Sequence, residues 1–324
     1  MKKNFEFEKD KDISTKHISF LENKNYSLRN VIRDLYDTFL RRPFYFLKYK
    51  NFFKYQNYNI NLVLPAKGFS TLSRRKKLNS MKKIEGKKIL NIGCGNAYDY
   101  HLWFKFKPKK IVGIDVMNYK KSWDTVLNYK KNKNIKTDLE FYKDDFVNFN
   151  YEEKFDFIVS DAVFEHCRDF DSVIKKCSEY LNKDGIMYAS YGGPMWLTYG
   201  GDHFSGRDNI NSGYNHLLME KIEYRDYVKR NIGSFDYELN EGGGGGILVE
   251  NDLFSKLSAN EYFNTFKKYN FYSENTYVEY SPIGFNLLKN NLSLKMQLEK
   301  KFPNIELENF YLKTHIVYLK KNIL

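Results

Sequence analysis

Acidic side chains follow three separate apolar runs of this chain, at the points where the runs end. They are Asp115, Asp145 and Asp161, and the last is followed four and five residues later by Glu165 and His166. If each run forms a strand of a parallel sheet, the ends of the strands line one crevice. Carboxylates there can accept ligand hydroxyls, and a histidine has the intrinsic pKa of a base that works near neutral pH. We therefore expect a polar ligand site along these strand ends.

A glycine turn, Gly93-Cys94-Gly95, follows an apolar run over residues 88–92 and precedes the segment that ends at Asp115. The run, the turn, a helix and a second strand are typical of a βαβ unit with a parallel sheet. Glycine lets the backbone turn tightly and lets a ligand approach where a side chain would collide. Asp115 lies twenty residues after Gly95, where a carboxylate can accept both hydroxyls of a ribose. This spacing predicts a cofactor that contains a nucleoside.

The residue at position 98 bears on which cofactor that is. A dinucleotide fingerprint needs a third small residue, so that the helix N-terminus can close on a pyrophosphate. The bulky Tyr98 stands at that position here. The sequence therefore disfavours a nicotinamide dinucleotide.

The turn within Ile92 to Gly95, together with Gly113-Ile114-Asp115, resembles the first two motifs of the class I S-adenosylmethionine-dependent methyltransferases. The resemblance implies S-adenosyl-L-methionine as the cofactor, with its methionine end on the turn and its ribose on the acid. Around these two motifs it implies a set of cofactor-binding residues: Asn91, Gly93, Cys94, Gly95, Asp115 and Val116.

Two further stretches match later motifs of the same family. Asp145 and Phe146 match the positions where an acid contacts the adenine amino group and an apolar neighbour stacks on the ring. Residues 155–166 resemble the fourth motif of the small-molecule branch, which has a Glu-His pair after the strand. This motif adds cofactor contacts at Ser160, Asp161, Ala162 and His166. The proline-containing fourth motifs of DNA methyltransferases are absent, so nucleic-acid bases are disfavoured as acceptors.

The resemblance implies an α/β fold: a Rossmann-like, doubly wound, seven-stranded sheet that is mostly parallel, with an antiparallel last strand. We divide the chain into a basic, mostly helical extension (1–85), a cofactor-binding half (86–191), an insertion or lid after strand five (192–254) and C-terminal helices with the closing strands (255–324). The pattern also predicts a turn over 182–185, helices over 216–228, 260–269 and 287–302, and strands over 271–280 and 315–319.

Two histidines are candidates for the catalytic base. His203 lies in a segment rich in glycine and aromatic residues after strand five, and His166 belongs to the Glu-His pair, where it can instead shape the cofactor pocket. The run Gly242 to Gly246 can be a hinge for a lid or a surface loop. Asp161, Glu165 and Asp202 could supply oxygens to a divalent cation, but no spacing requires it, so we predict no metal.

Charge is distributed unevenly along the 324 residues. Residues 1–85 hold 20 Lys/Arg against 8 Asp/Glu, a net +12, whereas the remainder holds 33 against 32. This asymmetry indicates either an anionic partner or a solvated basic face. The anionic partner can be a membrane surface contacted through residues 28–77, a phosphate-bearing substrate, or RNA. Arg74-Arg75-Lys76-Lys77 is one candidate site for phosphate.

Three cysteines without metal-ligand spacing, and no apolar run long enough to cross a membrane, predict a cytoplasmic protein. We expect an enzyme that moves a methyl group from S-adenosyl-L-methionine to a small molecule. An oxygen of a sugar, a glycan precursor or a lipid-linked intermediate would suit the aromatic insertion. The alternatives are an RNA methyltransferase that uses the basic N-terminal segment, or a non-catalytic module that binds the cofactor.

Overall fold

The computed structural model describes residues 60–65, 71–193, 195–202, 213–232 and 254–322, and positions 32, 35–41, 43, 44 and 47. Eight described strands form one sheet in the order β1-β7-β8-β6-β5-β2-β3-β4. Only β8 runs antiparallel to its neighbours within this sheet. The strands are β1 (Ile60–Pro65), β2 (Lys88–Ile92), β3 (Lys110–Asp115), β4 (Asp138–Lys143), β5 (Phe155–Asp161), β6 (Leu181–Tyr191), β7 (Phe271–Tyr280) and β8 (Leu312–Lys321).

The central strands are apolar along nearly their whole length because helices cover both faces of the sheet. Alternate residues of each strand therefore enter different cores. In β2, Ile89 lies in one buried cluster and Leu90 in the other, and in β5 Phe157 and Ile158 divide in the same way. All four side chains are fully buried. This two-sided burial explains why the sequence shows continuous apolar runs at these strands.

Nine α-helices lie within the described ranges, together with shorter 3₁₀ and π turns. They are α1 (Thr71–Met81), α2 (Tyr100–Phe104), α3 (Lys120–Asn132), α4 (Phe170–Tyr180), α5 (Asn215–Leu218), α6 (Lys221–Ile232), α7 (Ala259–Lys268), α8 (Pro282–Asn290) and α9 (Leu292–Lys301). None of the described helices combines the length and the apolar character needed to cross a membrane.

The seven-stranded, mostly parallel sheet with an antiparallel last strand is confirmed. One strand was not predicted: β1 pairs in parallel with β7, so the segment expected to be mostly helical adds an eighth strand at the sheet edge. The predicted turn over 182–185 was wrong. Phe155 pairs with Leu181 and Phe157 with Ile186, so these residues form an irregular, bulged part of β6.

The predicted helix over 287–302 is divided in two at Asn291. The Asn291 side chain accepts a hydrogen bond from the Leu294 N–H at 3.0 Å, which caps α9, while its own backbone N–H closes α8 on the Leu287 carbonyl. An asparagine in this position favours the start of a helix over its interior. The predicted helix over 216–228 is likewise two helices, α5 and α6.

The described part of the insertion packs onto the C-terminal helices. Trp196 contacts Phe302 edge to face at a centroid distance of 5.3 Å, and the Tyr214 hydroxyl donates a hydrogen bond to the Phe310 carbonyl at 2.6 Å. These residues form a third buried cluster with α8 and α9. The glycine run over 242–246 lies outside the described residues.

Candidate active site

The site begins at the carboxyl end of β2, in the middle of the parallel part of the sheet. Ile92 pairs with Ile114 of β3 on one side and with Ser160 of β5 on the other. The glycine turn that follows Ile92 therefore lies between the ends of β3 and β5. Open parallel sheets bind ligands in a crevice at this edge.

Two glycines give the turn its shape, and each is required for a different reason. Gly93 has φ +66°, and a Cβ there would lie 2.1 Å from Val163 Cγ2. Gly95 has φ +52°, but a Cβ there would meet no atom within 4 Å. Both dihedrals favour glycine. The turn is thus packed against the chain at Gly93 and open at Gly95.

Asp115 holds this turn through both of its carboxylate oxygens. The Gly95 N–H donates to Oδ2 at 2.8 Å, and the Met117 N–H donates to Oδ1 at 2.9 Å. Burial raises the pKa of Asp115, while these backbone hydrogen bonds act in the opposite direction. Each carboxylate oxygen can accept a second hydrogen bond. The carboxylate can therefore bind ribose hydroxyls while it supports the turn.

Asn91, in β2 just before the turn, and Cys94, within the turn, are both buried. The Asn91 side-chain amide donates to the Tyr100 hydroxyl at 3.1 Å, and the pKa of the Cys94 thiol is raised by burial. Both residues are less than a tenth exposed. Asn91 and Cys94 therefore support the turn from within the core, whereas Gly95 is open to a ligand.

The residues expected around the adenine occupy two different environments. Asp145 is exposed, and its Oδ1 accepts the Val147 N–H at 3.0 Å. Phe146 is 5% exposed and packs in the core near Tyr180, and its stacking on the adenine stays a prediction. Val116, directly after Asp115, is 44% exposed. Its side chain is therefore open to a ligand.

Asp161, the last residue of β5, is held by a network that the sequence did not reveal. Its Oδ1 accepts hydrogen bonds from Arg74 Nη1 at 3.1 Å, from Ser190 Oγ at 2.6 Å and from the Tyr188 hydroxyl. Arg74 Nη1 also lies 2.8 Å from Ser190 Oγ. These partners come from α1 and β6. In the sequence, Tyr188 and Ser190 are marked only by their place near the end of a strand, and Arg74 only by its place in a basic run.

The two neighbours of Asp161 in the predicted cofactor set differ in burial, since Ser160 is buried and Ala162 is exposed. Ser160 is 1% exposed, and its hydroxyl has no hydrogen-bond partner among the described residues. Ala162 has φ +56°, and its N–H donates to the Ser190 carbonyl at 2.7 Å. The chain therefore turns sharply after Asp161 and leaves one buried hydroxyl available.

The Glu-His pair lies in a short 3₁₀ turn over Phe164–His166. Glu165 is 7% exposed, and burial raises its pKa to about 8, although the backbone N–H groups of Glu165 and Gly192 stabilise its charged form. His166 is partly exposed, and its ring centroid is 5.3 Å from that of Phe254. His203, the other candidate base, lies outside the described residues.

The basic run in α1 does not present its arginines to an external phosphate. Arg75 is 1% exposed, binds the Asp99 carboxylate and carbonyl, and lies 4.1 Å from the centroid of the Trp103 ring. Arg74 is engaged by Asp161 and Ser190. This part of the predicted phosphate site was therefore wrong, because both guanidinium groups are used within the chain. Within the described ranges, no three His, Cys, Asp or Glu side chains form a group that could hold a metal ion.

Residues 83–221 match a family model described as a methyltransferase domain. Malonyl-[acyl-carrier protein] O-methyltransferase of Bacillus anthracis is 31% identical over 132 residues, which cover 41% of this chain and 45% of the relative. The tRNA U34 carboxymethyltransferase of Campylobacter lari is 30% identical over 110 residues, which cover 33% and 36%. The chain thus spans less than half the length of these two relatives.

Among solved structures, geranyl diphosphate C-methyltransferase from Streptomyces coelicolor, in complex with Mg²⁺, geranyl diphosphate and S-adenosyl-L-homocysteine, has a TM-score of 0.46 and 9% identity. The alignment covers 77% of this chain and 79% of that one. The matched stretch spans the turn, Asp115 and the Glu-His pair, so these residues lie in a region that is similar to a methyltransferase domain.

Proposed function

We propose that this chain is an enzyme that transfers the methyl group of S-adenosyl-L-methionine to an oxygen atom of a small molecule. The observation that carries the proposal is the Asp115 carboxylate, which bridges the open glycine turn and the end of β3. It offers hydrogen-bond acceptors to a ribose beside a backbone that a ligand can approach closely at Gly95.

The residues at the strand ends fit this cofactor. The ribose would bind Asp115, the adenine would lie between Val116 and Asp145, and the methionine end would lie over Gly93 and Gly95 toward Ser160 and Asp161. We assign Asn91, Cys94 and Phe146 to the support of this site, in line with their burial. Ala162 and His166 complete its far wall.

The bound cofactor supplies a methyl group that is already electrophilic, because it is attached to a sulfonium. The protein must then align an acceptor oxygen with the carbon–sulfur bond and accept its proton. Alignment can supply roughly 7–11 kcal/mol of such a barrier. A base near neutral pH adds roughly a hundred- to ten-thousand-fold. His203 and His166 are our candidates for this base.

Aromatic side chains near this edge support a sugar, a glycan precursor or a lipid-linked intermediate as the acceptor. Tyr98, directly after the turn segment, is 43% exposed, and Tyr199, which is half-buried, follows β6 in the insertion. Aromatic faces can stack on sugar rings. The relative from Bacillus anthracis is also named as an O-methyltransferase, which supports oxygen as the methylated atom.

RNA is the second candidate acceptor, and the tRNA-modifying relative favours it. The net charge of +12 in residues 1–85 would serve such a substrate. The internal hydrogen bonds of Arg74 and Arg75 weigh against RNA, since they remove two of these cations from the surface.

Peripheral membrane contact through residues 28–77 and a cytoplasmic location stay predictions. Phe39, Leu40 and Leu47 expose between 63% and 70% of their surface, which suits the membrane contact.

Transfer of a radiolabelled methyl group from S-adenosyl-L-methionine tests this proposal. The acceptor pools would be sugars and sugar nucleotides, a lipid-linked glycan extract, and total RNA, each with Asp115→Ala as the matched inactive control. We expect label in one of the first two pools with the natural chain alone. Label only in RNA, with binding that weakens steeply with salt, would replace the small-molecule proposal by the second candidate.

A further inference from the structure

Trp123, in α3, contacts the glycine turn from the core. Its indole Nε1 donates a hydrogen bond to the Gly95 carbonyl at 2.7 Å, although the two residues are 28 positions apart in the chain. The side chain is 6% exposed and belongs to the buried cluster that contains Ile89. Nothing in the local sequence marks this contact, so it was not predicted. A core side chain therefore binds the carbonyl of the open glycine.

The indole ring of Trp123 is held by two aromatic neighbours. It stacks on Phe141 of β4, with the ring centroids 5.2 Å apart and the ring planes within 4° of parallel. The Tyr119 ring packs against it at a tilt, with the centroids 6.3 Å apart. Because buried side chains are close-packed, the indole has little freedom to change its rotamer. Its N–H thus has a fixed direction, toward Gly95.

Both backbone polar groups of Gly95 are used within the chain. Its N–H donates to Asp115 Oδ2 at 2.8 Å, and its carbonyl accepts from Trp123. The second hydrogen bond also fixes the peptide that joins Gly95 to Asn96. The carbonyl and the N–H of a trans peptide point in opposite directions, so the Asn96 N–H points away from Trp123. No described residue accepts a hydrogen bond from this N–H.

A glycine needs such a contact more than other residues do. Gly95 has φ +52°, and a glycine backbone has more conformations available to it than that of any other residue. Without the Trp123 hydrogen bond, the peptide after Gly95 can rotate away from its observed orientation. Each alternative conformation lowers the apparent affinity of a ligand that binds the turn only as it stands.

We infer that Trp123 is a positioning residue, which holds the peptide between Gly95 and Asn96 in the conformation that the cofactor binds. The inference rests on the proposed function, since it takes the turn as part of the site for S-adenosyl-L-methionine. Trp123 acts through the Gly95 carbonyl, because its own side chain is almost completely buried. Removal of the indole N–H should therefore lower the affinity for the cofactor without deleting a side chain of the crevice.

A second buried tryptophan provides the matched control. Trp103, in α2, is fully buried in the same cluster, but its indole N–H has no hydrogen-bond partner among the described residues. Trp123→Phe and Trp103→Phe thus remove the same atoms from the core, whereas only Trp123→Phe removes a hydrogen bond to the turn. In calorimetric titrations with S-adenosylhomocysteine, Trp123→Phe should weaken binding roughly three- to tenfold, the effect of one lost neutral hydrogen bond. Trp103→Phe should stay within about twofold of the natural chain.

The indole N–H resonances provide a readout that a merely structural role would not change. The chain contains three tryptophans, Trp103, Trp123 and Trp196, and the two Phe variants assign their nuclear magnetic resonance signals. Saturation with S-adenosylhomocysteine should shift the Trp123 signal, because its acceptor belongs to the turn that binds the ligand. The Trp103 signal should stay in place. A Trp123 signal that does not respond to the bound ligand would contradict the positioning role.

Failure of the positioning role and failure of the proposed function give different results. If the natural chain does not bind S-adenosylhomocysteine, the proposed function is wrong. If the natural chain binds it, but Trp123→Phe keeps the full affinity or both variants lose affinity equally, the cofactor site stands and the role of Trp123 is overturned. Thermal unfolding checks that each variant is folded. If Trp123→Phe does not fold, Trp123→3-benzothienylalanine replaces the indole N–H by sulfur at nearly constant shape, and the same loss of affinity is expected.

Discussion

The two ends of strand β5 each carry an aspartate that is paired with a cation of the N-terminal segment, but the two pairs differ in kind. At the carboxyl end, Arg74 Nη1 lies 3.1 Å from Asp161. At the amino end, Lys82 Nζ lies 3.8 Å from Asp156 and 2.8 Å from Asp184. The segment that contains Arg74 and Lys82 thus forms ion pairs with both ends of β5.

The amino end is rich in cations, and its aspartate is fully used. Asp156 Oδ2 accepts the Lys88 backbone N–H at 3.0 Å, while Oδ1 faces Lys82, Lys87 and the Asn182 amide. At the carboxyl end, the three donors to Asp161 all reach Oδ1, and no described residue donates to Oδ2. At the amino end, where we place no ligand, both carboxylate oxygens of Asp156 have partners. At the carboxyl end, where we place the ligand, one oxygen of Asp161 stays open as an acceptor.

Removal of the Asp115 carboxylate is the strongest test of whether the ligand binds at the carboxyl ends of the parallel strands. Asp115→Ala deletes the ribose acceptor and also the two hydrogen bonds that hold Gly95 and Met117. We expect the affinity for S-adenosylhomocysteine to fall roughly a hundredfold or more, since each hydrogen bond to a charged group contributes about 1.5–3 kcal/mol. Calorimetry measures the affinity, and circular dichroism checks that the fold is kept. An unchanged affinity would refute the assigned site.

The two turn glycines should respond differently to alanine. Gly93→Ala drives a methyl group into Val163 at a positive φ, so it should lower the free energy of unfolding by about 2–4 kcal/mol. Gly95→Ala meets no atom and should cost only about 1–2 kcal/mol from its dihedral. Its new methyl group would instead obstruct the ligand. Denaturant unfolding and calorimetry together would separate a stability defect from a binding defect, and equal behaviour of the two variants would contradict this description of the turn.

Glu165, which follows the carboxyl end of β5, should make the stability of the chain depend on pH between about 5 and 8. Burial raises its pKa to about 8 from 4.5, so the folded chain binds more protons than the unfolded chain between these values. Stability must then fall as the pH rises through this window. We expect the midpoint of thermal unfolding to be lower at pH 8 than at pH 5. Glu165→Gln, which stays neutral, should flatten this slope, and an identical slope in the variant would exclude Glu165 as its source.

The smallest effect is expected at the amino end. Lys82→Met removes a 2.8 Å ion pair with Asp184, which is 78% exposed, and a longer contact of 3.8 Å with Asp156; exposed pairs contribute about 0–1 kcal/mol. The free energy of unfolding should change by no more than that in urea titrations, with no change in cofactor affinity. A large loss of affinity in this variant would remove the distinction between the two ends.

The strands that are buried on both faces could be predicted from the sequence, because a strand buried on both faces is a continuous apolar run. It did not predict β1, whose partner β7 lies some two hundred residues away, since pairing over that distance leaves no local pattern. The division at Asn291 was missed for a smaller reason. One capping side chain interrupts an otherwise helical stretch.

In the site, the residues carried by local motifs could be located, whereas those brought together by the fold could not. The turn and Asp115 are close in sequence and were recognised from spacing. Arg74 and Asp161 are 87 residues apart, and only the order of strands brings them into contact. Phe146 shows the remaining limit, because a motif position does not tell whether its ring faces a ligand or the core.

The most direct test of the central claim is a calorimetric titration of the natural chain with S-adenosylhomocysteine and, in parallel, with NADH. We predict one site per chain for S-adenosylhomocysteine, with micromolar affinity, and no heat of binding for NADH. Binding of NADH, or of neither ligand, would contradict the assignment of the carboxyl ends of β2, β3 and β5 as a methyl-donor site.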